Sequence, residues 1–425
     1  MDWLPYGARL KVGAMAIEVR NVRGDEEFDA WSDAMDVGFY APHMRGEGSR
    51  RRSRYPDRDR VWAGFDGTSV VGTLVSLDLR LTVPGPAQIP LAGMSAIAVA
   101  PTHRRRGIAR RMMAAELGRA KERGDAVAAL VASEYPIYGR FGFGPATETA
   151  QWLVDARDLR FRRELPGRIE LIDAGEARFE AAALYDRIRE RMVGAVSRED
   201  WRWDVDTGQY LRDGGELPKS FLHAVCRDES GQIVGYTAYR FTDKWANQRP
   251  DNTVHVTALI AADPVHEARL WSFLADHDWV TQVIGPEYDR IDPLWRDLLV
   301  DRRSAAAANA WDFVWLRVLD PAAVLAARTY AKGDRIVLKV EDEDGYAQGT
   351  YALEVAEDGA AACAPTLEAP DVTLPVDRLG SIYLGGYTAA RFGALGQIEE
   401  HTAGALERLS TLLTSGIGPH NPMIF

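Results

Sequence analysis

The chain has 425 residues, 46% of them hydrophobic and 27% charged, with a formal net charge of −11. That length suits two or three domains with full cores under an ordinary soluble surface. The acidic balance argues against nucleic acid as the main partner, since phosphate contacts need a basic footprint, and it suits a cationic substrate through steering. Cys226 and Cys363 lie far apart with no Cys-x-x-Cys or zinc spacing, so they read as free thiols of a reducing compartment, and no metal is expected. The opening Met1-Asp2-Trp3-Leu4-Pro5-Tyr6-Gly7 lacks a basic segment followed by an apolar one. No apolar run reaches the ~18 residues of a membrane helix. The expectation is a cytoplasmic protein with no membrane partner.

Residues 1–14 read as a loose extension, because a strand-like alternation starts afresh over 16–20. Glu26 to Phe39 predicts a helix, with Phe28, Trp31, Met35 and Phe39 at spacings of three and four. The basic stretch from Arg45 to Arg54 reads as a solvated loop, with a flap over a ligand as the alternative. Val61–Phe65 and Val70–Leu77 predict a hairpin around Asp66-Gly67, and Leu79–Val83 carries the sheet on to a turn at Pro84-Gly85. A strand over 95–100, a basic turn, a helix from 107 to about 123, and a buried-type strand from Ala126 to Ala132 then form a strand–helix–strand unit. Gly124 is the natural residue to end that helix.

The middle third repeats the first in degraded form. Phe221–Cys226 and Ile233–Tyr239 mirror the first hairpin, Val254–Ala261 stands where strand 95–100 stood, and a helix over 265–275 follows. The stretch after the strand, Ala262-Asp263-Pro264-Val265-His266-Glu267-Ala268-Arg269, has no glycine and no basic turn. Beyond it, Trp311–Leu319 predicts one strand, Ala322–Tyr330 a short helix, Arg335–Val340 and Gly349–Val355 a hairpin, and Val372–Val376 a strand. Helical segments are expected around 377–383 and 389–413. The tail ends on Met423-Ile424-Phe425, apolar enough to hint at burial.

The most informative stretch is Ser95-Ala96-Ile97-Ala98-Val99-Ala100-Pro101-Thr102-His103-Arg104-Arg105-Arg106-Gly107-Ile108-Ala109. A strand that opens through a basic turn into a helix leaves several N–H groups without intrahelical partners. The helix dipole adds partial positive charge there, so the turn suits a phosphate or pyrophosphate. Gly107, without a Cβ, lets the backbone come close to such a group. Tyr138-x-x-x-Gly142-Phe143 follows one strand later. A phenol with pKa near ~10 is protonated at neutral pH and can act as an acid, with Tyr135 as the fallback and Phe141 and Phe143 as packing aromatics. His103 reads as facing solvent or phosphate, and the eight histidines show no ligand-like spacing. A Gly-x-Ser-x-Gly and a P-loop are both absent. The residues alone leave a catalytic base unidentified.

Arg104-x-x-Gly107-x-Ala109 resembles the pattern by which GNAT N-acetyltransferases hold the pyrophosphate of acetyl-CoA. Asp78–Gly85, Val99–Gly107, Ile137–Gly142, Leu379–Gly385 and the terminal Phe425 together resemble the Eis (enhanced intracellular survival) family, over Ile17 to Phe425. The resemblance implies an α+β or α/β architecture of tandem GNAT folds, mixed sheets with flanking helices, plus a sterol-carrier-like C-terminal domain. The expected division is 1–152 for the acetyl-CoA-binding domain, 153–303 for a degenerate GNAT domain without cofactor, and 304–425 for the sterol-carrier-like domain. A homohexamer is implied, as is acetylation of aminoglycosides or similar polyamines, a chemistry of antibiotic resistance, or of protein lysine side chains. A non-catalytic lipid or ligand carrier is disfavoured by the intact turn and Tyr138.

By the same resemblance, acetyl-CoA falls on Ile97, Ala98, Val99, Arg105, Arg106, Gly107, Ile108, Ala109, Arg110, Ser133 and Glu134. Tyr138 matches the general acid, and the main-chain carboxylate of Phe425 the general base. Two departures stand out. Ile424 replaces an acidic residue of some relatives, and Ala41-Pro42 offers no carboxylate near the substrate loop. Asp33 and Asp36 are candidate substitutes, against a reading as solvent-facing helix charges.

Overall fold

The computed structural model describes residues 17–41, 45–209 and 221–425. The expected extension at 1–14, the start of the first expected strand, and Pro42 lie outside them. The chain divides into two compact units, Met1–Ser76 with Met94–Glu116 and Leu77–Gly93 with Leu117–Phe425.

In the first unit, strand Glu18–Asn21 pairs antiparallel with Val61–Asp66, which turns through Gly67 into the strand beginning at Ser69. The register sets Gly64 opposite Gly72. That pair of glycines clears a seat for Ile108, since a Cβ at either would stand 2.7 Å from its Cγ2. Helix Gly24–Gly38 buries Phe28 and Trp31 completely, and the Trp31 indole donates to the Trp62 carbonyl at 2.9 Å.

The basic stretch is not a solvated loop. Gly48–Arg51 forms a helical turn and Arg52–Arg54 a 3-10 turn, with Arg51 and Arg54 buried. Asp36 is likewise no solvent-facing charge. Its carboxylate takes Arg51 Nη1 at 2.9 Å, and both side chains are about 5% exposed or less. Arg52 binds Asp29 and, at 2.8 Å, Asp25, while Asp33 accepts from the Gly46 N–H at 2.7 Å. The physical reason is charge complementarity. Asp25, Asp29, Asp33 and Asp36 recur at helical spacing on one face, and the arginine run answers them.

In the second unit, the Gln88–Val99 strand pairs parallel with Val127–Val131, Leu91–Gly93 opposite Val127–Ala129. Val127–Val131 also pairs antiparallel with Val314–Val318, which in turn pairs with Gly144–Pro145. The single strand expected over Trp311–Leu319 is therefore two. Ala305–Asp312 joins Glu148–Asp155 in a different sheet, and the chain changes sheets at the buried Phe313. The Trp311–Leu319 segment has no glycine or proline to mark such a switch, which is fixed by backbone bonds from Phe313 N to Thr147 O (2.8 Å) and from Ala146 N to Val314 O (2.9 Å).

That other sheet runs in the order Ala305–Asp312, Glu148–Asp155, Val280–Ile284, Asn252–Ala261, Ile233–Thr242, Leu222–Arg227, Arg168–Ile172. Asn252–Ala261 and Val280–Ile284 are parallel, joined through helix Pro264–Ala275. Trp271 stacks on Trp295 in the core at 4.9 Å. A five-stranded sheet follows, ordered Ala361–Pro365, Gly349–Val355, Asp334–Glu341, Val372–Pro375, Glu399–Glu400. The helical stretch expected over 389–413 is broken into Ala389–Gly393 and Ala405–Leu413, with the left-handed Gly396 and Gly404 between them.

Helix Val376–Tyr383 sits against the strands Val314–Val318 and Gly144–Pro145 at backbone distance. A Cβ on Gly144 would lie 1.9 Å from the Asp377 carbonyl oxygen, and one on Gly380 would lie 2.4 Å from that of Leu316. Backbone cannot yield as a flexible side chain does. Gly380→Ala is therefore expected to lower the thermal midpoint, at a cost of about 1–3 kcal/mol for overpacking, and an unchanged melting curve would refute the close approach. In the first unit, Asp36→Ala strands the buried Arg51 guanidinium and should cost about 3–5 kcal/mol in denaturant unfolding.

Candidate active site

In the first unit the strand leading to the basic turn is deformed at Ala96, whose φ is +53°, and Thr73 Oγ1 donates to the Ala96 carbonyl at 2.8 Å. Ile97, Ala98 and Val99 follow, half-buried. The chain then turns over Pro101–His103 and enters helix Ile108–Arg123, which has no acidic residue in its first turn. Arg105 (φ +63°) and Gly107 (φ +72°) are both left-handed. Two such residues so close turn successive N–H groups toward one side, the geometry of an anion-binding nest. A Cβ placed on Gly107 meets nothing within 4 Å, so the turn is open to a ligand there. Arg105, Arg106 and Arg110 are exposed around it, and Ala109 is half-buried. These features fit a pyrophosphate.

Two expectations change. The Ile108 side chain is 2% exposed and packs on Gly64 and Gly72, so only its backbone is available to a cofactor. His103 is tied back to the sheet, with Nε2 3.0 Å from Asp66 Oδ2 and Nδ1 2.8 Å from Thr102 Oγ1, rather than facing solvent or phosphate.

The corresponding turn of the middle third is built otherwise. Asp263 caps helix Pro264–Ala275, its Oδ1 accepting from the N–H groups of Val265 and His266 at 2.9 and 3.0 Å. The helix start is thus filled by the chain's own carboxylate, which would repel a phosphate.

In the second unit, Tyr138 ends the short helix Tyr135–Tyr138 and is 7% exposed. Gly142, at φ +73°, turns the chain so that Phe143 is fully buried and its N–H reaches the Tyr138 carbonyl at 3.3 Å. Burial pushes the Tyr138 phenol above its usual range, the nearby Glu134 carboxylate adds to this, and a hydrogen bond with Ser133 opposes it. The phenol accordingly keeps its proton at neutral pH. Ser133 and Glu134 are themselves exposed, as is the fallback Tyr135, whose ring meets the edge of Trp315 at 4.5 Å.

The chain end is held in the same unit. Arg290 Nη1 donates to the Gly418 carbonyl at 2.9 Å, and the His420 N–H donates to Val193 at 2.7 Å. His420, Asn421, Met423 and Phe425 are buried, and Ile424 is 39% exposed. Phe425 itself is 4% exposed, with Cδ2 3.3 Å from where a Gly93 Cβ would stand. Gly93 was not singled out from the sequence. A glycine inside an otherwise apolar strand, Leu91-Ala92-Gly93-Met94, is the signal that another group approaches closely there.

Among the described residues no group of three or more His, Cys, Asp or Glu side chains could hold a metal ion, and no helix is long and apolar enough to cross a membrane.

Known proteins bear on this arrangement. Acetyltransferase (GNAT) domain profiles match residues 18–146 and 194–318, and a sterol carrier protein domain profile matches 321–422. An uncharacterised N-acetyltransferase of Streptomyces avermitilis is 38% identical over 416 residues, 96% of this chain and 99% of its own length. The N-acetyltransferase Eis of Mycobacterium tuberculosis is 35% identical over 362 residues, 83% of this chain and 85% of its own. The crystal structure of Eis1 from Mycobacterium abscessus superposes with a TM-score of 0.82 at 28% identity, covering 96% of this chain and all of that one. With the phosphate-type turn, the buried phenol and these relatives together, the chain belongs to the Eis family of GNAT N-acetyltransferases, two GNAT domains followed by a sterol-carrier-like domain.

Proposed function

We propose that this N-acetyltransferase acts on primary amines of small polycationic molecules of the aminoglycoside or polyamine kind, with the chain's own terminal carboxylate as base. The observation that carries this reading is the burial of Phe425. Chain ends usually fray, yet this one is 4% exposed and seated on Gly93 of the strand that continues to Ile97, Ala98 and Val99.

Acetyl-CoA supplies an activated acetyl thioester. Its pyrophosphate is assigned to the N–H groups from Arg105 to Arg110, with the guanidinium groups of Arg105, Arg106 and Arg110 around them. The strand Ile97–Val99 takes its pantetheine arm, and Ser133 and Glu134 border the same cofactor. The Asp263 cap of the middle third argues that this cofactor is held once in the chain. The Phe425 carboxylate takes a proton from the substrate ammonium, directly or through a water molecule, and leaves a neutral amine to attack. An α-carboxylate with pKa near ~3.5 is a weak base in water, but burial raises it and proximity offsets much of the remainder. The amine nitrogen bonds to the acetyl carbon and sheds its second proton to solvent, the carbon–sulfur bond breaks, and Tyr138 Oη gives its proton to the departing thiolate. The proton taken at Phe425 then returns the phenol to its starting state through solvent.

The net charge of −11 favours a cationic substrate. The assay is acetyl-CoA with kanamycin or with a lysine peptide, the products being weighed by mass spectrometry. Acetyl increments on kanamycin are expected, and acetylation of the peptide alone would replace this reading with a protein lysine acetyltransferase. Tyr138→Phe should lower kcat about a hundredfold or more while leaving acetyl-CoA affinity intact. Loss of cofactor binding in that variant would instead make Tyr138 a packing residue.

A further inference from the structure

A cavity of about 230 Å³ opens beside the start of helix Pro264–Ala275, in the domain whose turn is capped by Asp263. Glu267 from the helix, Asp289 from the segment after the sheet, and His420 and Pro422 from the tail line it. Its polar side chains include the acceptors of Asp263, Glu267, Asp289 and His420 and the guanidinium groups of Arg191 and Arg290. Asp289 is 8% exposed; its Oδ1 takes the Arg290 N–H at 2.6 Å, but its buried Oδ2 has no hydrogen-bond partner. His420 is 5% exposed, and its Nδ1 is also buried without a partner. Glu267 is half-buried in the same wall.

Neither guanidinium group reaches the two unpartnered atoms, Asp289 Oδ2 and His420 Nδ1. Arg290 donates to the Gly418 carbonyl, and Arg191 lines the cavity from an exposed position. Buried acceptors left unmade are costly, and carboxylates more so. A primary ammonium brings three N–H donors and one positive charge, matching one donor each to Glu267, Asp289 Oδ2 and His420 Nδ1.

We propose that this cavity is a binding site for a primary ammonium ion, separate from the Tyr138 and Phe425 set and carried by the GNAT domain whose helix start is filled by Asp263. The charges around it agree. Burial pushes the Glu267 and Asp289 carboxyls upward, the Asp289 charge adding to the rise at Glu267 and the Arg290 guanidinium opposing both, while burial and Arg290 keep His420 neutral; a cation bound here would favour the charged form of both carboxyls. In the lining of this cavity the carboxylates outnumber the guanidinium groups, with Asp263, Glu267 and Asp289 against Arg191 and Arg290. Since His420 and Pro422 form one wall, the occupant would also brace the tail that leads to Phe425. The proposal does not depend on which amine is acetylated.

Calorimetric titration of the full chain with putrescine, without acetyl-CoA, tests it. Putrescine can also enter the catalytic site, so the comparison is with Glu267→Gln/Asp289→Asn, whose melting curve and acetyl-CoA affinity are checked first. The native chain should show one binding event more than the double variant, or that event should be weakened roughly tenfold or more in it, equivalent to about 1.4 kcal/mol. If the double variant does not fold, Glu267→Gln alone serves the same comparison. Identical isotherms for native and variant chains, or no binding by the native chain, would overturn the proposal.

Discussion

The seating of the last residue on Gly93 is the constraint on which the proposed chemistry depends. A terminal carboxylate is a group every chain possesses, and it is of no use to catalysis while the terminus moves. Here the tail is pinned at Gly418 by Arg290 and at His420 by Val193, and it ends with the Phe425 ring against Gly93, where a Cβ would stand 3.3 Å from the ring and 2.5 Å from Leu79 Cδ1. A strand glycine ordinarily weakens a strand. At this position the loss is the condition for placing the chain end.

The tail can be held this way because of what comes before it. The chain leaves the sheet of Val127–Val131 at Gly144–Pro145, builds the sheet that holds Glu148–Asp155, and returns at Val314–Val318 to lie between Gly144–Pro145 and Val127–Val131. Helix Val376–Tyr383 then rests on those returned strands at a distance that only Gly144 and Gly380 allow. The buried pair of Arg317 and Asp342, at 2.6 Å, ties the returned strand to the C-terminal sheet. Sterol-carrier-like domain and first-sheet strands are thus joined through backbone contact and a buried ion pair, and the tail emerges from the last helix already committed to their side of the fold.

The parts of this plan that rest on short sequence spans were legible. The strand, basic turn and helix around Gly107, the Tyr138-x-x-x-Gly142-Phe143 element, and the hairpins at 61–82 and 222–242 all follow from local periodicity and turn residues. What was not legible is set by distant partners. The strand expected at Trp311–Leu319 reads as one because it is mostly apolar with no glycine or proline to divide it, and its bonds to Thr147 and Ala146 show where it changes sheet. Asp36 and Arg51 are each unremarkable surface residues until the two segments meet and bury both. Ile108 sits within the cofactor motif, yet its side chain answers Gly64 and Gly72 on the hairpin. The middle third shows the converse. Its missing glycine and basic turn were readable, but the reason that its helix start repels phosphate is the Asp263 cap, a matter of side-chain geometry.

The central claim is that the terminal carboxylate, rather than the Phe425 ring or the tail as a whole, takes the proton from the amine. The most direct measurement is the single-turnover rate of acetyl transfer by a semisynthetic chain ending in the Phe425 amide, which keeps the ring and its seat on Gly93 and removes only the basic oxygen. The account predicts a rate roughly a hundredfold or more below that of the native chain, with acetyl-CoA affinity and melting temperature unchanged. An amide-terminated chain that transfers acetyl at the native rate would contradict it.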